Sequence, residues 1–340
     1  MRLVVITQAV DEDDPALGAT VDKLRALAAR VDELVVLALR VRETELPANV
    51  RVRSFGARGP ALKAARLATL LAPELRRRPV AVLAHMAPAY ALVAAPLTRP
   101  LRVPLLLWFT HWRASRTLEL AERVSTRILS VNERSFPLRS SKLVATGHGI
   151  EVPDEPVQRA DDGTLRLLAL GRTSPAKGLE TLLDALRLLD GLPVQAEVLG
   201  PSLTAEEHQY RARLAERAAD DGRIELGGPV DRTDVGSVYA RSDALVNNMR
   251  AGALDKVVYE AAAAGLPVLV ASDGFAPLVD GLGTELRFAQ DDAAELATRV
   301  RALYELGADG RTAVGAALRE RVRRDHSVEH WADEVLAAAR

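Results

Sequence analysis

Two segments of this 340-residue chain bring together residue types that chemistry uses. The first is GRTSPAKGLETLLDAL at 171–186, where Gly171 follows the apolar run LRLLAL (165–170). Arg172 and Lys177 lie in the loop before a helix that starts near Gly178. Cationic side chains at the carboxyl edge of a parallel strand, next to helix-end amides, form an anion site suited to a diphosphate. The order is neither G-x-x-x-x-G-K-[ST] nor G-x-G-x-x-G, so this is not a Walker loop or a dinucleotide fingerprint. Taken alone, the segment also reads as an ordinary solvated loop. The second segment is NNMRAGALDKVVYEAAAAGLPVLVAS at 247–272. Asp255 stands where an amino-terminal cap would, Gly265 ends the helix, and Pro267 opens the next strand. Glu260 sits among alanines and valines. A carboxylate buried there without a partner costs several kcal/mol, so it faces solvent or meets a ligand hydroxyl or a cation.

Among the histidines, His85, His111 and His148 follow or flank strand ends of the first half, whereas His208, His326 and His330 lie on charged helices and read as solvated. The run Arg76–Arg78 closes an amphipathic helix and could touch acidic lipid or an anionic acceptor, or simply face water.

These residues need elements to hold them. Strand-length apolar runs recur at 3–7, 34–39, 80–84, 103–109, 127–131 and 142–145, with amphipathic stretches such as 15–30 and 60–78 between them. In the latter, Leu62, Ala65, Leu67, Leu70, Leu71 and Leu75 fall near helical spacing. The pattern stops over 151–164, EVPDEPVQRADDGT, which reads as a linker. It restarts at 165–170, 194–199, 223–226, 243–247 and 267–271. Continuous Val/Leu strands separated by helices imply parallel sheets covered on both faces. The expectation is an α/β chain of two doubly wound domains, 1–150 and 165–326, joined by a hinge, with a ligand cleft between them. A last helix over 327–340 carries Val328, Trp331, Val335 and Leu336 on one side.

Composition narrows the classes. The chain has no cysteine, which excludes disulfides, thiolate zinc sites, iron–sulfur clusters and a cysteine nucleophile. Its 45 basic and 46 acidic groups show no dominant basic stripe, against nucleic-acid binding. The amino terminus lacks a signal-peptide pattern, so a cytoplasmic protein is expected. The uncharged stretch 80–98 holds His85, Pro88 and Pro96 and parses as strand plus helix rather than a membrane span. Only five basic residues are lysine: Lys23, Lys63, Lys142, Lys177 and Lys256. The first, second and third read as surface residues; the other two fall inside the two segments described above.

The order of GRTSPAKG, the short GGPV loop (227–230), YARSDALV and GALDKVVYEAAAAGLPVLVAS resembles the carboxyl-terminal domain of retaining glycosyltransferases of family 4, bacterial type. LLWFTHWR (106–113), ATGHGIE (145–151) and the final helix with Trp331, which in the family crosses back to the first domain, resemble the rest of that family. The resemblance implies the GT-B fold of two Rossmann-like domains facing a central cleft, the first on the acceptor side and the second binding the nucleotide-sugar donor. It implies that Gly171, Arg172 and Lys177 grip the donor diphosphate and that Glu260 binds the ribose. Gly228, Pro229 and Val230 would contact the base, and His111 would lie beside the transferred sugar. His111, Arg172 and Lys177 would be the catalytic set. The family's first paired glutamate falls at Gly252, so the donor-sugar loop Gly252, Ala253, Leu254, Asp255 and Lys256 departs from the pattern, with Asp255 or Lys256 as substitutes. Gln8, Asp11 and His85 are acceptor-side candidates. Asp11 and Asp13 spell an Asp-x-Asp, the metal signature of a different glycosyltransferase fold; here they read as cleft-lining or solvated, and no metal or other cofactor is expected.

The expected function is transfer of a hexosyl group from a UDP- or GDP-sugar to a glycan, lipid-linked or small-molecule acceptor, by a monomer or homodimer with possible peripheral membrane contact. A nucleotide-sugar epimerase or a catalytically idle partner subunit are the alternatives.

Overall fold

The computed structural model describes residues 1–14, 17–111, 113–159, 162–249 and 254–340. It divides into two compact units, Met1–Glu151 with Asp325–Arg340, and Val152–Arg324.

In the first unit the strands are β1 (Arg2–Val10), β2 (Glu33–Val41), β3 (Val50–Ser54), β4 (Ala81–His85), β5 (Leu105–Trp108), β6 (Arg127–Ser130) and β7 (Leu143–Ala145). They form one parallel sheet in the order β3-β2-β1-β4-β5-β6-β7. Leu3 and Val5 on one face of β1 and Val4 and Ile6 on the other are all buried, which is why the strand reads as an unbroken apolar run. Register is fixed by pairs such as Leu3 with Leu34 and Leu3 with Ala81. Helix Pro60–Arg76 packs Leu67, Leu71 and Leu75 on the face made by Val4, Ile6, Val35 and Val82. Leu62 and Ala65, grouped with that apolar face from their spacing, are instead exposed, because they fall on the side of the helix away from Leu67, Leu71 and Leu75. Glu74 is buried in the same helix, and Arg2 neutralises it through an ion pair.

The second unit holds β8 (Leu165–Leu170), β9 (Val194–Leu199), β10 (Ile224–Leu226), β11 (Ala244–Asn247) and β12 (Val268–Val270). Their order is β10-β9-β8-β11-β12, all parallel. The chain order reverses beside β8, and in open α/β sheets the carboxyl edge at such a reversal is where ligands bind. Helices Glu180–Arg187, Ala205–Ala218 and Lys256–Ala263 follow β8, β9 and β11. Among the described residues, no helix is long and apolar enough to cross a membrane.

Candidate functional site

The carboxyl edge of the second sheet is assembled from three glycine-marked exits. Gly171 leaves β8 at φ 120° and Gly200 leaves β9 at φ 142°, conformations that favour glycine. Gly171 N donates to Leu199 O at 2.9 Å and Gly200 N donates to Gly228 O at 2.9 Å, so the loops after β8, β9 and β10 are tied in series. A Cβ on Gly200 would stand 2.0 Å from Gly171 O, which only a glycine avoids. From this shelf Gly171 lines a pocket of about 570 Å³ whose walls also include Arg172, Ser174, Lys177, Glu207, Met249 and Asp255.

Lys177 ends a short 3-10 turn, Pro175–Lys177, and its ammonium folds back over Gly171. It ion-pairs with Asp255 and reaches Leu170 O at 3.4 Å. Asp255 also accepts from Asn247 Nδ2 at 3.0 Å. Asp255 does occupy the N-cap position of helix Lys256–Ala263, but its side chain makes no capping bond; the lysine and the asparagine draw it away.

Arg172 is half exposed, and its Nη2 donates to Glu207 Oε1 at 2.5 Å. Glu207 is buried at the start of helix Ala205–Ala218, in a capping box with Thr204. Burial works against its ionisation. The amides of Leu203 and Thr204 and the Arg172 guanidinium outweigh that and hold the carboxyl below the usual range. Each cation of the pocket is therefore matched by a carboxylate, yet a lysine has three N–H donors and an arginine five, which leaves N–H groups for an anion.

The other expected residues fall as follows. Glu260 is partly exposed, and its partner is the cation one turn earlier, Lys256. Gly228 and Pro229 are exposed and Val230 half-buried, directly after β10. Leu254 packs against Gly274; Gly252 and Ala253 lie outside the described residues. In the first unit, His111 is exposed beyond β5, its Nδ1 accepting from Arg113 N at 3.0 Å. Gln8 donates to Met86 O at 2.8 Å. Asp13 pairs with Arg42 at 2.7 Å and Asp11 lies 3.8 Å from the same guanidinium, so the acidic run is met by arginine.

Two readings from sequence are corrected here. His85 does not line an open surface: it is 3% exposed, stacked on Trp108 at 4.9 Å, and burial holds its pKa well below 6.5. Lys23 is not a surface residue but 4% exposed, with Nζ 4.3 Å from the Trp108 ring and 5.4 Å from that of Trp331. The aromatic faces stabilise the buried ammonium. His148 is buried beside the same Trp108.

Sequence reasoning missed Gly200, Glu207, Asn247 and Tyr239. Gly-Pro after an apolar run and T-x-x-E before a helix were the available signals for Gly200 and Glu207. The Tyr239 hydroxyl is buried without a hydrogen-bond partner among the described residues, and burial, then the charges of Glu260 and Asp255, raise its pKa well above 10.

Residues 164–306, which contain this pocket, match the family described as Glycosyl transferases group 1. The second unit carries a glycosyltransferase domain, and the protein is a transferase. No curated protein matches the chain in sequence. Solved structures match across the glycosyltransferase domain and beyond it. The Anabaena protein HepE, in complex with UDP and glucose, is 16% identical with a TM-score of 0.72, covering 98% of both chains. Sucrose-phosphate synthase from Thermosynechococcus elongatus is 16% identical at a TM-score of 0.75, covering 99% of this chain and 98% of the other. A trehalose-6-phosphate structure from E. coli bound with UDP-2-fluoro glucose is 12% identical at 0.75, covering 100% and 99%. At these identities the likeness is one of fold. It matches the expected class, an α/β chain of two parallel-sheet, Rossmann-like units of the GT-B type.

Proposed function

We propose that this transferase is a retaining family 4 enzyme that moves a hexosyl group from a UDP-sugar to an acceptor hydroxyl, without a metal ion. The observation that carries the reading is the convergence of Arg172 and Lys177, from one loop at the carboxyl edge of β8, on a pocket of about 570 Å³. The matched family over residues 164–306 and the UDP-containing ligands of the solved neighbours support it. A nucleoside diphosphate gains negative charge as the glycosidic bond breaks. Fixed cations aimed at it stabilise that transition state more than the ground state. The departing phosphate oxygen would then accept the proton of the attacking hydroxyl on the same face, so that the anomeric configuration is kept. The loop Gly228–Val230 would meet the base, and Glu260, released from Lys256, the ribose.

The test is Arg172→Ala with Lys177→Ala in the full chain, followed by UDP titration and donor turnover. Both are expected to fall by on the order of a hundredfold, the size of losing charge-assisted hydrogen bonds. Affinity and turnover at the wild-type level would overturn the site. Product stereochemistry by NMR checks retention, and turnover in EDTA checks metal independence; an inverted product or a chelator-sensitive rate would overturn those parts.

A further inference from the structure

Glu207 divides its carboxylate between two tasks. Oε2 accepts from the amides of Leu203 at 2.6 Å and Thr204 at 3.2 Å, which closes the amino-terminal turn of helix Ala205–Ala218. Oε1 faces the pocket and takes Nη2 of Arg172. The glutamate is 5% exposed and anchored to backbone, whereas the arginine it holds is half in solvent. A guanidinium on a mobile side chain loses rotamer freedom when it engages a ligand, and prior anchoring removes part of that loss. One edge of the arginine fork is used on Glu207, which leaves the rest of the fork for oxygen acceptors in the pocket.

We propose that Glu207 is a positioning residue for transfer, holding Arg172 toward the donor diphosphate through Oε1 while Oε2 fixes the loop after β9. This rests on the donor reading given above. The alternative physical outcome is that the carboxylate competes with phosphate for Arg172; the backbone anchoring of Glu207 argues for a support, because the group that moves to a ligand is the arginine.

Glu207→Gln separates the two tasks. A glutamine oxygen still serves the capping box, but its amide nitrogen then points donors at Arg172 and releases it. The full-length wild type, Arg172→Ala, Glu207→Gln, the double variant and Leu214→Ala are compared in UDP titration, steady-state transfer and thermal melts. Loss of UDP affinity in Arg172→Ala establishes the donor reading independently; if affinity stays at the wild-type level, that reading fails whatever Glu207 does. With it established, Glu207→Gln is expected to lower kcat/KM about tenfold, mostly in kcat, at unchanged Tm, with no further loss in the Arg172→Ala background. Leu214, buried in helix Ala205–Ala218 and not among the residues lining the pocket, reports on helix stability alone, and Leu214→Ala is expected to lower Tm and leave kcat/KM alone. Wild-type kcat/KM in Glu207→Gln, tighter UDP binding, full additivity with Arg172→Ala, or the same kinetic loss in Leu214→Ala would each overturn the proposal. If Glu207→Gln does not fold, Glu207→Asp keeps the charge but withdraws it by one methylene. The same fall in kcat is expected, and wild-type kcat overturns.

Discussion

The ammonium of Lys177 is ion-paired with the carboxylate of Asp255, a residue from the loop after β11, directly beside Gly171, the first residue after β8. A compact charge fits there: a Cβ on Gly171 would already lie 2.8 Å from Nζ. A guanidinium is planar and wider and cannot sit in the same space with the same bonds. Lys177→Arg, which keeps the charge, is therefore expected to lower donor turnover by tenfold or more, on the order of one well-placed charged hydrogen bond. Turnover at the wild-type level in a coupled nucleotide-release assay would show that charge alone is enough.

Asp255→Asn probes the other partner. It removes the charge that holds Lys177 but retains an oxygen for Asn247 Nδ2. UDP affinity is expected to change less than kcat, because the lysine keeps its charge but loses its fixed place. Calorimetric titration beside steady-state kinetics gives both quantities; an equal loss in each would point to simple damage of the pocket.

The glycines of the three strand exits predict opposite outcomes. Gly200→Ala drives a Cβ into Gly171 O from a positive φ, and the strain is expected to destabilise the protein by roughly 1–3 kcal/mol and to spoil the pocket. Gly228→Ala meets nothing within 4 Å among the described residues and is expected to leave stability within about 0.5 kcal/mol of wild type. Urea unfolding of the two variants checks both, and a drop in UDP affinity in Gly228→Ala alone would mark that loop as a contact of the base.

The sheets were largely legible in the sequence, since a strand buried on both faces writes itself as a run such as LVVLAL or LRLLAL. β3 was not legible: in VRVRS every second side chain is an arginine on an edge strand, so no apolar run forms. The loop Gly171–Lys177 was legible because its cations follow a strand directly. Glu207 was legible only as a cap, since nothing local reveals that its second oxygen faces Arg172. Lys23 was misread because the two indoles that cover it come from β5 and the last helix, far along the chain.

That last helix can be weighed by one residue. Trp331 is 1% exposed, lies against Gly149 and Lys23, and meets His85 and Trp108 edge-on at 6.2 Å. Trp331→Ala is expected to destabilise the first unit by about 3–5 kcal/mol, the range for deleting a buried aromatic. Urea denaturation followed by circular dichroism is the measurement. A loss under about 1 kcal/mol would mean that the cluster collapses around the gap or contributes little.

The same cluster makes stability depend on acid. His85 is buried with Thr7 Oγ1 3.5 Å from Nδ1 and, among the described residues, no hydrogen-bond partner at Nε2, and burial followed by the Lys23 charge lowers its pKa well below 6.5. A lowered folded pKa means that the unfolded chain binds the proton more readily. The contribution is thus fully present above about pH 6.5 and is lost as pH falls through that value toward the folded pKa, by up to about 1.4 kcal/mol per pH unit. His85→Phe keeps a flat ring on Trp108 and removes the titration. Unfolding free energies measured from pH 7.5 down to 5 are expected to fall less steeply in this variant than in wild type. Parallel slopes would show that His85 is protonated in the folded protein, against the burial of its ring.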